Sequence, residues 1–451
     1  MKYIDRTIDL LLSEWRETAK RKPILLRGAR QVGKTSSVRH LSESFEEYVE
    51  VNFELDIDVC RVFETVRDPQ EICRQISLLK NSVIEPGRTL LFLDEIQACP
   101  DAIEALRFFY EKMPELHVIA AGSLLEFALR DLPSFGVGRI RSIFMYPLTF
   151  NEFLHAQGED ILASAINEAS KEKPLPDAVH KKTLGLLSVF TAIGGMPESV
   201  ATYCETKRIT ACHAVLDDIL VSLYGDFSKY HTRMDVSRIR SVFASVIRQT
   251  GGKFVFAHAS EGANSAQVRE CLLLLTLAGL VFPVTHTSAQ GLPLAAETNQ
   301  KFQKYLIFDT GIYLRFLRTD LATVVGPASV DVMNRGALAE LLAGLELVKA
   351  FEPSYPAELH YWQREKRGAQ AEVDYVAQKG GDIVAIEMKA GVKGSMRSLD
   401  VFMGEHPRAK GMRTSSENFG QVGNVDIVPI YALGQIWRDG NATRRGQRAR
   451  M

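Results

Sequence analysis

The chain of 451 residues predicts an α/β multidomain protein whose N-terminal part is a parallel sheet flanked by helices. Three observations carry that prediction. Gly28-Ala29-Arg30-Gln31-Val32-Gly33-Lys34-Thr35 fits the phosphate-loop pattern G-x-x-x-x-G-K-[ST] and directly follows the apolar run Ile24-Leu25-Leu26. Thr89-Leu90-Leu91-Phe92-Leu93 reads as a fully buried parallel strand ending in Asp94-Glu95. Val118-Ile119-Ala120-Ala121 is a third such run, closed by Gly122-Ser123. Strands that alternate with helices and carry polar groups at their C-terminal ends form open sheets covered on both faces.

In chain order, Ile4, Ile8, Leu11, Leu12 and Trp15 first mark one face of an amphipathic helix. In the loop that follows, glycines take positive φ and expose consecutive backbone N–H groups at the positive end of the next helix. Gly28, Ala29, Arg30, Gln31, Val32, Gly33, Lys34, Thr35 and Ser36 are therefore the predicted cradle for ATP. Lys34 would reach the β- and γ-phosphates, and Thr35 would offer its hydroxyl to Mg²⁺. Asp94 would hold the hydration shell of the same ion, while Glu95 would orient or deprotonate the attacking water. An apolar strand running into an acidic turn is the plainer reading of that segment, and the phosphate loop in the same domain weighs against it. A small-molecule kinase would also suit the loop, but the Asp94-Glu95 pair favours water as acceptor. Between these strands, Ile103, Leu106, Phe109 and Tyr110 form the apolar stripe of a helix over residues 101–112.

Composition excludes some classes. With 46% apolar residues, 24% charged residues and a net charge of −1, the chain has no overall electrostatic signature for nucleic acid. Any such surface must be local. At this length about three domains are expected. The six cysteines, at 60, 73, 99, 204, 212 and 271, lack C-x-x-C spacing, so reduced thiols in a cytoplasmic protein are expected, with neither zinc nor a disulfide. Charged residues interrupt the first apolar stretch, against a secretory signal, and the longest run, from Cys271 to Val284, is too short to span a bilayer. No membrane partner is expected.

Tyr3-Ile4-Asp5-Arg6, the phosphate loop, Leu93-Asp94-Glu95-Ile96-Gln97, Gly122-Ser123, Gly138-Arg139, Tyr146-Pro147-Leu148-Thr149-Phe150-Asn151-Glu152-Phe153 and Gly194-Gly195-Met196-Pro197-Glu198 together resemble a large group of prokaryotic AAA-type ATPases. Members carry a C-terminal domain of unknown function related to PD-(D/E)XK nucleases, and the likeness runs to about residue 433. It implies a sensor role for Ser123, at the tip of the strand beside Asp94. It also suggests Arg139 as an arginine finger, with Arg141 as the neighbouring candidate and an ordinary exposed arginine as the plain alternative. Whether such a finger acts on its own subunit or on a second copy stays open.

Four segments are expected: an ATPase domain over 1–157, a helical and winged-helix-like middle over 181–320, a nuclease-like α/β domain over 330–433 and a flexible basic tail over 437–451. Residues 158–180 read as an exposed connection. In the middle, helices at Val236–Thr250 and Ser265–Ala278 precede a hairpin from Leu280–Thr285 towards Leu306-Ile307-Phe308. Arg269 is nearly the sole basic residue of the second helix, so a protein-binding or structural role stands beside DNA reading. In the C-terminal part, alternating strands present Asp374 and, on one face, Glu387 and Lys389. Neighbouring carboxylates repel unless a divalent cation neutralises them, and a lysine beside them can activate water. The resemblance gives Asp374, Glu387 and Lys389 those nuclease roles and adds Glu340 as a further acidic ligand, with Mg²⁺ or Mn²⁺ as the metal. Gln363 and Arg364, on the intervening hairpin, would face a phosphate. The function expected is an ATPase whose nucleotide state controls a nuclease-like domain acting on DNA. The alternative is a nucleotide-switched module that binds protein or nucleic acid without cutting.

Overall fold

The computed structural model describes residues 3–122, 125, 129, 138–230, 234–320, 336–364, 371–389 and 396–438. Its contacts divide the chain into two units. The first spans residues 1–146 with the short segments 277–279 and 353–356. It runs α1 (Thr7–Arg16), β1 (Ile24–Arg27), α2 (Lys34–Ser42), β2 (Glu47–Asn52), α3 (Ile57–Thr65), α4 (Pro69–Lys80), β3 (Thr89–Asp94), α5 (Pro100–Lys112), β4 (His117–Ala121) and β5 (Arg141–Phe144). The strands form one parallel sheet in the order β2-β3-β4-β1-β5.

Parallel strands buried on both faces must be apolar throughout. All six residues of β3 and all five of β4 are buried. On one face Leu25, Val51, Leu91, Leu93 and Val118 meet Phe63, Ile72, Ile103 and Phe109 from α3, α4 and α5. Elsewhere α1 buries Ile8, Leu11, Leu12 and Trp15, and α2 buries Val38 and Leu41. Each fully buried side chain of this size contributes about 1.5–3 kcal/mol. Because β4 lies between β1 and β3, the C-terminal ends of all three strands open onto one edge, where the phosphate loop begins.

The expectation of reduced cysteines needs one correction. Cys60 on α3 and Cys99, just before α5, form a disulfide with Cα atoms 5.7 Å apart. The two helices pack on the same face of the sheet, which joins residues 39 apart in sequence where no local spacing could signal it. Cys73, Cys204, Cys212 and Cys271 are free.

The second unit covers 147–276, 280–352 and 357–451. Its helices are α6 (Phe150–Ala156), α7 (Asp160–Glu168), α8 (Asp177–Ile193), α9 (Pro197–Thr206), α10 (Ile209–Asp226), α11 (Val236–Arg248) and α12 (Ser265–Leu277). Next come β6 (Val281–Thr287), β7 (Thr298–Ile307), α13 (Thr310–Phe316), α14 (Gly336–Ala350), β8 (Leu359–Gln363), β9 (Glu372–Lys379), β10 (Asp382–Met388), α15 (Arg397–Glu405), β11 (Lys410–Ser415), β12 (Gly420–Val422) and β13 (Val425–Pro429). Eight strands form a mixed sheet in the order β12-β13-β11-β10-β9-β8-β6-β7. Trp362, Val373, Val376, Ala385, Leu399 and Phe402 build a core where α15 covers it.

Three sequence expectations change here. The hairpin β6–β7 is no free wing, because β6 pairs in parallel with β8 and carries the hairpin into the C-terminal sheet. By its contacts the first unit ends at Tyr146, ahead of α6. Residues 158–180 include α7, which buries Leu162, Ala163 and Ile166. Of the expected tail, Trp437 is buried and Arg438 donates to the Lys349 carbonyl, while residues 439–451 lie outside the described residues. Among the described residues no helix is long and apolar enough to cross a membrane.

Candidate nucleotide site

The loop between β1 and α2 owes its path to its glycines. Gly28 has φ +142°, and a Cβ there would lie 2.1 Å from the Met145 carbonyl oxygen, so no other residue fits. Gly33, at φ 99°, caps α2 with no side-chain hydrogen bond and leaves the first N–H groups of the helix facing the loop. Lys34 is buried and its Nζ donates to the carbonyls of Gly28 and Ala29, both at 2.9 Å. The ammonium thus lies inside the loop, where phosphate oxygens would replace those carbonyls.

The two predicted halves of the site meet directly. Thr35 Oγ1 donates to Asp94 Oδ2 at 3.0 Å, although 59 residues separate them. Burial raises the Asp94 carboxyl above its ordinary range, and the bonds from Thr35 and the Glu95 N–H offset part of that rise. A hydroxyl and a carboxylate side by side are hard oxygen donors suited to Mg²⁺, so Thr35 and Asp94 would hold the ion. When bound, it would neutralise charge on the transferring phosphoryl group.

Glu95 takes φ 49°, a left-handed conformation rare for residues other than glycine. Its Oε2 accepts a bond from Gln97 Nε2 at 2.7 Å. A strained backbone at such a place is common where chemistry is done.

Two contributors escaped sequence reasoning. Arg6 donates to the Val32 carbonyl in the loop at 3.0 Å and to the Tyr146 carbonyl at 2.7 Å. Tyr3 bonds Asp9 at 2.7 Å and Ser37 at 2.9 Å, and its ring stacks on His40. The Tyr3-Ile4-Asp5-Arg6 motif therefore fastens the N-terminus to the loop and its helix. Asp5, Asp9 and His40 also bring ligand atoms within 4.8 Å of one another, but both Asp9 carboxylate oxygens already accept bonds, from Tyr3 and the Arg6 N–H.

In the C-terminal constellation Asp374, Glu387 and Lys389 lie together, and Glu340 has a further partner. Antiparallel pairing of β9 with β10 runs through Tyr375 and Ile386, which brings Asp374 and Glu387 alongside at the next step. Asp374 Oδ2 accepts from the Met388 N–H at 2.8 Å, and Lys389 Nζ lies 2.5 Å from Glu387 Oε1. Glu387 Oε2 is buried without a hydrogen-bond partner. Glu340 instead pairs with Lys304 on β7, at 2.9 Å. Among the described residues, Glu340, Asp374 and Glu387 do not bring three ligand oxygens within 4.8 Å of one another. Glu340 Oε1 is thus engaged by a lysine that the sequence did not flag. Arg364 is engaged by Glu405 at 2.9 Å.

Comparison with known families decides the first unit. Residues 20–154 match a family described as an AAA domain. Over that stretch the chain is similar to an AAA domain. Beyond it, residues 186–323 and 335–433 match two domains of unknown function (DUF8612 and DUF4143). No curated protein matches. Among solved structures, a Walker-type ATPase of Pyrococcus abyssi is 14% identical, with 70% of this chain and 96% of that one covered and a TM-score of 0.45. A signal-transduction ATPase with a tetratricopeptide sensor from Pyrococcus horikoshii is 12% identical over 76% and 47%, with a TM-score of 0.27. The PCH-2 protein of C. elegans is 17% identical over 42% and 57%, at 0.23. Likenesses this distant do not define a shared fold.

Within the AAA domain, Arg139 does not lie by the phosphate loop. The register pairs Arg141 with Ile24, the first residue of β1, so Arg139 precedes the N-terminal edge of the sheet and the loop follows the C-terminal edge. There it forms an ion pair with Glu111 on α5. A finger role within one subunit is thereby corrected, for Arg141 as well. Ser123 lies outside the described residues.

Burial lowers the Lys34 amine to about 8, with the charges of Glu95 and Asp94 opposing that fall. Polyphosphate beside Nζ favours the ammonium, so ATP binding at pH 8.5 should take up protons, and affinity should fall as pH rises through about 8, by at most about tenfold per unit. Calorimetric titrations in two buffers of different ionisation heat will read that uptake. Equal observed heats in the two buffers would contradict it. The sign for stability is opposite: between about 8 and the ordinary lysine value the unfolded chain holds the extra proton, so the group adds stability as pH rises.

Proposed function

We propose that this chain hydrolyses ATP with Mg²⁺ and that its nucleotide state switches a second unit, which binds a partner without cutting it. The observation that carries the first half is the 3.0 Å contact of Thr35 with Asp94, followed directly by Glu95 at positive φ. The first two side chains would hold the metal, and the third would take the proton of the attacking water. Lys34 and the N-terminal N–H groups of α2 would position the phosphates. Removal of bulk water from such a site strengthens every charge interaction in it.

For the second half, the reading draws on Glu340 and Glu387, which pair with Lys304 and Lys389, and on Asp374, which accepts the Met388 N–H. DNA cleavage is accordingly not proposed. Nucleic acid and protein are the partner classes this surface would serve, and a second copy of the chain is the natural source of any arginine that reaches the γ-phosphate. The deciding experiment is phosphate release from ATP by the purified full chain, with and without Mg²⁺. Turnover that requires Mg²⁺ is expected. ATP that remains intact under both conditions would reduce the first unit to a nucleotide-binding domain.

A further inference from the structure

We infer that Lys304 is the resident cation of the acidic cluster formed by Glu340, Glu372 and Asp374, and that its ammonium stands where a divalent metal would be expected. Glu340 projects from α14, and Glu372 and Asp374 from β9. Glu340 is buried and Glu372 and Asp374 are partly buried, and carboxylates drawn together out of water require a compensating charge. The charge arrives on β7, whose Lys304 side chain is 1% exposed. Its Nζ lies 2.9 Å from Glu340 Oε1 and 2.5 Å from Glu372 Oε1, and 5.2 Å from the centre of the Tyr361 ring.

This geometry leaves no shared space for an ion. A divalent cation needs direct contact with several oxygens at about 2.0–2.6 Å, and the volume between Glu340 and Glu372 is filled by a nitrogen with hydrogens to donate. The surrounding charges agree. Burial alone would lower the amine, yet Glu340, Glu372 and Asp374 together raise it above the ordinary lysine range, so the charge stays on. Asp374 takes the remaining strain: burial and the Glu340 charge push its carboxyl up to about 7, against the pull of Lys304 and the Met388 N–H.

Sheet topology explains why the cation comes from so far away in sequence. β7 lies two places from β8 in the mixed sheet, and α14 packs on both β7 and β10. Lys304 falls in the stretch 186–323, whereas all three carboxylates fall in 335–433, so two segments matched to separate families share one electrostatic unit. The inference is independent of ATP hydrolysis, whose residues all lie in the first unit.

The test is Mn²⁺ binding to the nucleotide-free full chain, followed by the spin resonance of free Mn²⁺, for the parent, Asp374→Asn, Lys304→Gln and the double variant. Parent and Asp374→Asn should bind alike, with no Mn²⁺ that depends on Asp374. Lys304→Gln should gain a site at least tenfold tighter than any in the parent, and the double variant should lose it. One equivalent of Mn²⁺ bound by the parent and lost in Asp374→Asn would overturn the inference. So would a folded Lys304→Gln protein that gains no site. If Lys304→Gln does not fold, the comparison of parent with Asp374→Asn decides alone, since it needs no change at the lysine.

Discussion

Lys34→Ala should abolish ATP binding at micromolar concentrations and reduce hydrolysis to background. The ammonium lies inside the loop, 2.9 Å from two of its carbonyls, which is where β- and γ-phosphate oxygens would be bound. A charge-assisted hydrogen bond contributes about 1.5–3 kcal/mol, so two of them account for a loss of roughly 10²- to 10⁴-fold in affinity. The fold should survive. β1, α2 and the Thr35–Asp94 contact do not depend on Nζ, and removing a buried charge relieves desolvation even as it leaves two carbonyls unmet. Titration with a fluorescent ATP analogue, beside a thermal melt of both proteins, separates lost binding from lost structure. Retention of parental affinity in a folded variant would place the nucleotide elsewhere. Lys34→Arg is a useful companion. A planar guanidinium keeps the charge but does not fit the carbonyl pair that the compact ammonium occupies.

The parts of this site legible in the sequence are those set by local chain geometry. Gly28 to Thr35 form a loop whose conformation, hydrogen bonding and charge are encoded within eight residues, and β3 and β4 are buried on both faces, which only unbroken apolar runs satisfy. What could not be read depends on distant residues. Arg6 acts on carbonyls 26 and 140 residues away, so its motif could be noticed but not interpreted. Lys304, in Gln303-Lys304-Tyr305, resembles any exposed lysine on a hairpin until β6 pairs with β8 and α14 covers it. Arg139 failed for the opposite reason. Its proximity in sequence to the Pro147-Leu148-Thr149-Phe150 motif suggested proximity to the nucleotide, but β5 runs parallel to β1, and ligands of such sheets gather only at the C-terminal strand ends. The motif itself is structural: Thr149 Oγ1 accepts from the Glu152 N–H at 3.1 Å, and Glu152 Oε2 accepts from the Thr149 N–H at 2.8 Å, a reciprocal cap on α6.

Glu95→Gln should leave ATP affinity within about threefold of the parent while slowing hydrolysis by about 10²- to 10⁴-fold, the range attributed to a positioned general base. The separation follows from geometry. Asp94 and Thr35, which would hold the metal, touch each other, whereas Glu95 donates its backbone N–H to Asp94 Oδ1 at 3.0 Å and turns its carboxylate to Gln97. An amide of the same shape keeps that backbone bond and removes only the group that could accept a proton. Single-turnover hydrolysis, with binding measured in parallel, reads the two effects apart. Parental turnover in the variant would remove Glu95 from the mechanism. Gln97 then gives the sharper reading, because its amide holds the Glu95 carboxylate at 2.7 Å, and its own Oε1 is buried without a partner against Gly122, where an added Cβ would approach to 2.0 Å. A carboxylate tied in this way must leave Gln97, or carry it along, to meet a water lined up behind the γ-phosphate. If Glu95 is the base, the state of that one hydrogen bond is the step at which events at the tip of β4 can reach the chemistry.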